Sequence, residues 1–156
     1  AIVVGVDDSA PGRAALRFAL EEGLVRNCRV TVVTTWIWDG IVRQRVSDEL
    51  LADEAHVVRI RQDQILAEVS AGMPRLPAVD QLVLHDAGGA ALVEAAKDAA
   101  MLVVGSSHRG LTSRTLLGSV SEYCVRHARV PVVVVSDPAR VRESDYSDWL
   151  SLTSPD

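Results

Sequence analysis

Five short runs of aliphatic and β-branched residues punctuate the chain, and stretches of helical periodicity separate them. The runs are Ala1–Val6, Arg29–Trp36, Val79–His85, Met101–Gly105 and the Val132–Val135 segment that follows Pro131. Each reads as a strand. The first is apolar almost throughout, as expected of a parallel strand buried on both faces. After it, Leu16, Leu20 and Leu24 recur at i+4 with Ala15, Phe18 and Ala19 beside them, which predicts a helix to about Arg26. Ser9 or Asp8 suits its N-cap and Pro11 its first turn. Trp38-Asp39-Gly40 reads as a turn. Ile41–Ala71 predicts a long helix with a stripe of Val46, Leu50, Val57, Val58, Ile65, Leu66 and Val69, ended by Gly72-Met73-Pro74. Asp86-Ala87-Gly88-Gly89 reads as a turn. Leu92, Ala95, Ala96 and Ala99 then predict a helix running to Ala100. Val120, Tyr123, Cys124 and His127 predict another, from Ser119 to about Ala128.

Strands alternating with helices give an α/β fold: an open, doubly wound parallel sheet with right-handed crossovers and helices on both faces. Residues 1–136 form one domain. From residue 137 to 156 the chain is polar and reads as a surface tail, with Trp149 and Leu150 its anchoring point. In such sheets a ligand sits at the carboxyl ends of the strands, where the strand order reverses. Asp7 follows the first strand and Gly105 ends the fourth. If those strands are neighbours, Asp7, Gly105 and Gly118 share one crevice.

Composition narrows the partners. The 156 residues are 48% hydrophobic but only 4% aromatic, so the core must be Val, Leu, Ile and Ala. A net charge of −5 argues against a nucleic-acid footprint. No apolar run approaches the ~20 residues that cross a bilayer. The opening has no leader pattern, and because it lacks Met, removal of a short N-terminal piece is the expectation. Cys28 and Cys124 have neither metal nor redox spacing and read as reduced thiols of a cytoplasmic protein.

The chemistry concentrates after the fourth strand. Gly105 opens a polar loop carrying Ser106, Ser107, His108, Arg109, Thr112, Ser113 and Arg114, and Gly118-Ser119 leads into the next helix. Free amides and the positive end of the helix dipole make such a place an anion cradle. The loop is longer than the usual αβ connection of ~2–6 residues, and long loops are commonly functional. Gly105 offers close backbone approach to a ligand, and Gly118 can take dihedrals closed to other residues. Asp7 reads as a helix cap or a ligand contact, with the switch-point position favouring the contact. His108 and Arg109 read equally as solvated loop residues or phosphate contacts. Ser106 and Ser107 beside His108 suggest a hydrolase only weakly, since no orienting acid accompanies them. Trp36 reads as packing, close to the crevice. No Gly-Lys-Ser/Thr phosphate loop, G-x-G-x-x-G, G-x-S-x-G or metal-ligand pair is present.

Gly105, His108, Gly118 and Ser119 follow the spacing Gly, two residues, Gly, nine residues, Gly, Ser/Thr. This resembles the ATP signature of the universal stress protein family, with His108 in place of the second glycine. Val4-Gly5-Val6-Asp7-Asp8-Ser9 is similar to the family's opening strand and turn. Leu117–Tyr123 and His127–Val132 are similar to its closing helix and strand. The resemblance implies a Rossmann-like five-stranded sheet of order 3-2-1-4-5, a homodimer through Pro131–Val135, and ATP as ligand, with or without Mg. On matching positions, Asp7, with Val6 before it, would meet the ribose or the adenine edge and Thr35 would pack on adenine. Val104 and Gly105 would line base and ribose. Ser106, His108 and Arg109 belong to the loop that would wrap the phosphates. Gly118, Ser119, Val120 and Ser121 would bond the phosphates. The function implied is a regulatory, stress-related nucleotide-binding protein with at most weak ATP hydrolysis. Two alternatives stand beside it. One is a ligand-free member acting through dimerisation or protein partners. The other, poorly matched by the first turn, is an adenine-nucleotide hydrolase.

Overall fold

The computed structural model describes residues 1–37, 48–106 and 117–136. Strands β1 (Ile2–Gly5), β2 (Val30–Trp36), β3 (Val79–His85), β4 (Met101–Gly105) and β5 (Val132–Val135) form one sheet of order β3-β2-β1-β4-β5. Every pairing is parallel, with Val4 opposite both Val32 and Val103. The sheet order reverses between β1 and β4, as an open doubly wound fold requires. The expected turn at Trp38-Asp39-Gly40, the start of the long helix and the tail at 137–156 lie outside the described residues.

Alternation along the strands divides the core in two. Ile2, Val4, Val30, Val32 and Val103 face α1 (Ala10–Val25) and α2 (Asp48–Ser70), meeting Leu16, Leu20 and Ile65. Val3, Val33, Leu102 and Val104 face α3 (Gly88–Ala95) and α4 (Ser119–His127), meeting Leu92, Ala96 and Cys124. Burial pushes the Cys124 thiol up to about 11, so it behaves as a small core hydrophobe.

Three sequence expectations change. Val57 is exposed, and Gln62 takes a place on the core side of α2 beside Ile65. Gly88 and Gly89 are the first residues of α3 rather than a turn. Glycine is used there for closeness, because a Cβ on Gly89 would stand 2.8 Å from Tyr123. The same helix stops at Ala95, short of Ala100. Its continuation tightens into three-residue bonds, Lys97 N to Glu94 O and Ala99 N to Ala96 O, and Ala100 N then donates to Ala1 O at 2.7 Å. That last bond leads the chain into the start of β4 beside β1.

Candidate functional site

At the carboxyl ends of β1 and β4 the sheet opens into a cleft of about 300 Å³. Its floor is Gly5, Val6 and Val33, and Val104 and Gly105 form one side. The β1–α1 turn is built by its own side chains. Ser9 is the N-cap of α1, its Oγ accepting from Gly12 N at 3.0 Å. Asp7 Oδ1 in turn accepts from Ser9 N at 3.2 Å and from Ser9 Oγ. Asp7 is therefore not the cap but the brace of the cap. It is exposed, and its Oδ2 makes no hydrogen bond among the described residues.

Two helices point their N-termini at this cleft, and they differ. The first turn of α1 is closed by Ser9. The N-cap of α4 is Gly118, which makes no side-chain capping bond. The first backbone bond along α4 is Glu122 N to Gly118 O at 2.8 Å, so the amides of Ser119, Val120 and Ser121 have no partner within the helix. Ser119 and Val120 line the cleft and both are exposed. Anion-binding capacity therefore lies on the α4 side. The backbone of Gly118 is ordinary, with φ −78° and ψ 166°. The expectation of a conformation closed to other residues does not hold at this position.

Of the residues singled out from sequence, Val6, Asp7, Thr35, Val104, Gly105, Ser119 and Val120 line the cleft together. Ser106 and Ser121 are each only 1% exposed. Ser106 N donates to Val135 O at 2.8 Å, and Ser121 Oγ donates to Gly118 O at 3.0 Å. Both lie behind the cleft wall. His108 and Arg109 lie outside the described residues. Trp36 stacks on His85 with ring centroids 4.4 Å apart, across the paired ends of β2 and β3. Among the described residues it serves packing and does not line the cleft.

Sequence reasoning passed over Ser9, Gly12, Thr34 and Leu92 as lining residues. From sequence, Leu92 is expected only as part of a helix face. It lies under Gly5, where a Cβ would meet its Cδ1 at 2.7 Å. Asp7 is the only carboxylate among the described cleft residues. No group of three or more metal-ligating side chains gathers among the described residues. No helix among them is long and apolar enough to cross a membrane.

Comparison with known proteins gives these features a family. The model of the universal stress protein family matches residues 1–136. A universal stress protein of Mycobacterium tuberculosis is 34% identical over 148 residues, covering 87% of this chain and 47% of its own length. The chain thus spans about half the length of the relatives it matches. The structure of a universal stress protein from Archaeoglobus fulgidus superimposes with a TM-score of 0.63 at 27% identity, covering 86% of this chain and 96% of the other. The structure of the universal stress protein from Archaeoglobus fulgidus in complex with dAMP gives 0.59 at 26% identity, covering 86% and 95%. With the family model matched over residues 1–136 and the α/β fold shared with these structures, the chain belongs to the universal stress protein family.

Proposed function

We propose that this domain binds an adenine nucleotide, ATP in the first instance, and acts as a cytoplasmic regulatory protein of the stress response in homodimeric form. The observation that carries the reading is the uncapped N-terminus of α4 at a cleft that Asp7 also lines. A cleft of about 300 Å³ is at the lower end of small-molecule sites. Ser119 and Val120 amides suit the phosphates, Thr35 and Val104 the base, and Asp7 a sugar hydroxyl. Gly118 and Ser121 would shape the phosphate end, with His108 and Arg109, in the loop that begins at the buried Ser106, closing over it. Mg would arrive with the phosphates. A family relative solved with dAMP supports the ligand class.

The named residues would bind and orient a ligand; the Ser9 hydroxyl that donates to Asp7 Oδ1 is committed to the α1 cap, where it accepts from Gly12 N. Calorimetry with ATP, ADP and AMP on protein stripped of nucleotide tests the reading. Micromolar or tighter binding is expected, with ATP preferred because the Ser119 and Val120 amides at the start of α4 are offered to phosphate. At ~100 times Kd such binding adds about 2.7 kcal/mol to stability. Absence of binding by all three would remove it. His108, which stands where the family signature has glycine, favours one second reading, a ligand-free protein acting through its partners. Binding by His108→Gly and none by the parent would select that reading.

A further inference from the structure

Gln62 is the buried polar residue of α2, 1% exposed. Its amide nitrogen lies among three oxygens: Leu82 O at 3.0 Å, Thr34 Oγ1 at 3.1 Å and Val32 O at 3.2 Å. Three acceptors around one atom fix that atom as the nitrogen. The other amide atom, Oε1, is buried with no hydrogen-bond partner among the described residues. A buried amide oxygen without a donor is a cost that an apolar side chain of the same length would avoid. Such a residue serves something besides packing.

The bonds lead to the cleft. Thr34 accepts from Gln62 and donates its own hydroxyl to Val6 O at 3.2 Å. Val6 N makes the last sheet bond of β1, to Val33 O at 2.9 Å. The next residue is Asp7. From its other side the turn is held by the neighbour of Gln62. Arg61 pairs with Asp8 Oδ2, while Asp8 Oδ1 takes Arg13 at 2.7 Å. Two consecutive residues of α2 therefore hold the residues immediately before and after Asp7.

We propose that Gln62 and Thr34 are positioning residues for the cleft: the relay from the α2 amide through the Thr34 hydroxyl to the Val6 carbonyl sets the backbone at Asp7 and, with it, affinity for nucleotide. The part concerning affinity rests on the nucleotide reading above. Gln62 is not among the cleft-lining residues and acts only through this relay, whereas Thr34 also lines the cleft. The cost of the orphaned Oε1 is the mark of a residue kept for geometry.

The test uses Thr34→Val, Thr34→Ser and Gln62→Met in the full chain, with amide hydrogen exchange, melting temperature and ATP calorimetry. The Ser9 and Gly12 amides, bonded to Asp7 Oδ1 and Ser9 Oγ, report the turn without any ligand. Thr34→Val and Gln62→Met are expected to speed their exchange about tenfold while the rest of the sheet exchanges as in the parent. ATP binding should weaken about tenfold, the scale of one hydrogen bond in a network. Thr34→Ser keeps the hydroxyl and should restore both. If the parent binds no ATP, the nucleotide reading falls and the exchange of Ser9 and Gly12 alone decides the positioning role. Unchanged exchange there in both Thr34→Val and Gln62→Met overturns the proposal. So does a general rise across β1, β2 and β3 with a lowered melting temperature, which would make the relay ordinary glue. Faster local exchange with ATP affinity unmoved overturns the link to binding.

Discussion

Gly105 ends β4 directly against Pro11: a Cβ on Gly105 would stand 2.6 Å from the Pro11 carbonyl carbon and 2.7 Å from Gly12 N. What approaches this glycine is the first turn of α1, which docks on the strand end and so closes one side of the cleft. Gly105→Ala must push backbone rather than a side-chain tip. A loss of about 1–3 kcal/mol is expected, a fall in melting temperature of roughly 2–4 °C per kcal/mol for a chain of this size. Calorimetric melting of the unliganded protein checks it, and an unchanged melting temperature would mean the turn is softer than its geometry.

Gly118 offers a variant in which stability and binding move in opposite directions. Its extended backbone suits any residue, and it leaves the α4 N-terminus without a side-chain cap. Gly118→Ser supplies a cap, a gain of a few tenths of a kcal/mol. The new hydroxyl would occupy an amide that a phosphate otherwise takes. Urea melts should show a protein as stable as the parent or slightly more so, while ATP titration should show weaker binding.

The outer edge of β5 is a test of assembly. Pro131 O and Val135 O accept from Leu102 N and Ser106 N of the β4 side. Alternation then turns the N–H and C=O of Val132 and Val134 outward. An apolar edge of this kind invites pairing with another strand. Val134→Pro removes an outward donor while sparing the bonds to β4, a position where edge strands tolerate proline. Light scattering should give twice the chain mass for the parent and a monomer for the variant.

Asp8 carries a pH signature. Hydrogen bonds from Arg13 and then Arg61 hold its carboxyl below the usual 3.8. A carboxyl lowered in the folded state contributes stability above its unfolded value, and the contribution is lost as pH falls through the lower folded one. Asp8→Asn should therefore melt slightly below the parent at neutral pH, and the two should converge below about pH 3. The difference is small because the group is exposed and solvent screens it. Melting temperatures taken between pH 7 and pH 2 decide the matter, and a gap that widens in acid would contradict the pairing.

Much of the fold was legible because a parallel sheet writes itself as apolar runs. Val30–Trp36 and Met101–Gly105 needed no context to be read. Three features resisted reading, for separable reasons. Gln62 breaks the apolar stripe of α2, so periodicity assigns the core to Val57 instead; only the oxygens of Val32, Thr34 and Leu82 explain an amide there. The end of α3 is set by Ala100 N finding Ala1 O, a contact between distant parts of the chain that local propensity does not encode. At the cleft, Asp7 and Gly105 announced themselves as strand ends. Thr34 and Gly12 did not, because their part depends on which strand lies beside which. Glycines were the least readable: the sequence suggests freedom at Gly118, whereas the structure uses closeness at Gly89 and Gly105.

The pairing of β1 with β4 has a consequence in time. Ile2 lies opposite Met101, and the strands between them in sequence, β2 and β3, lie on the other side of β1. Closing that span costs loop entropy before any contact repays it. A chain emerging from the ribosome has β1, β2 and β3 available early, but no second wall for the cleft until β4 is made, and no α4 amides until later still. Nucleotide would then find nothing to grip on a partly made domain. On the proposed reading, nucleotide binding would therefore select finished molecules over partly made ones.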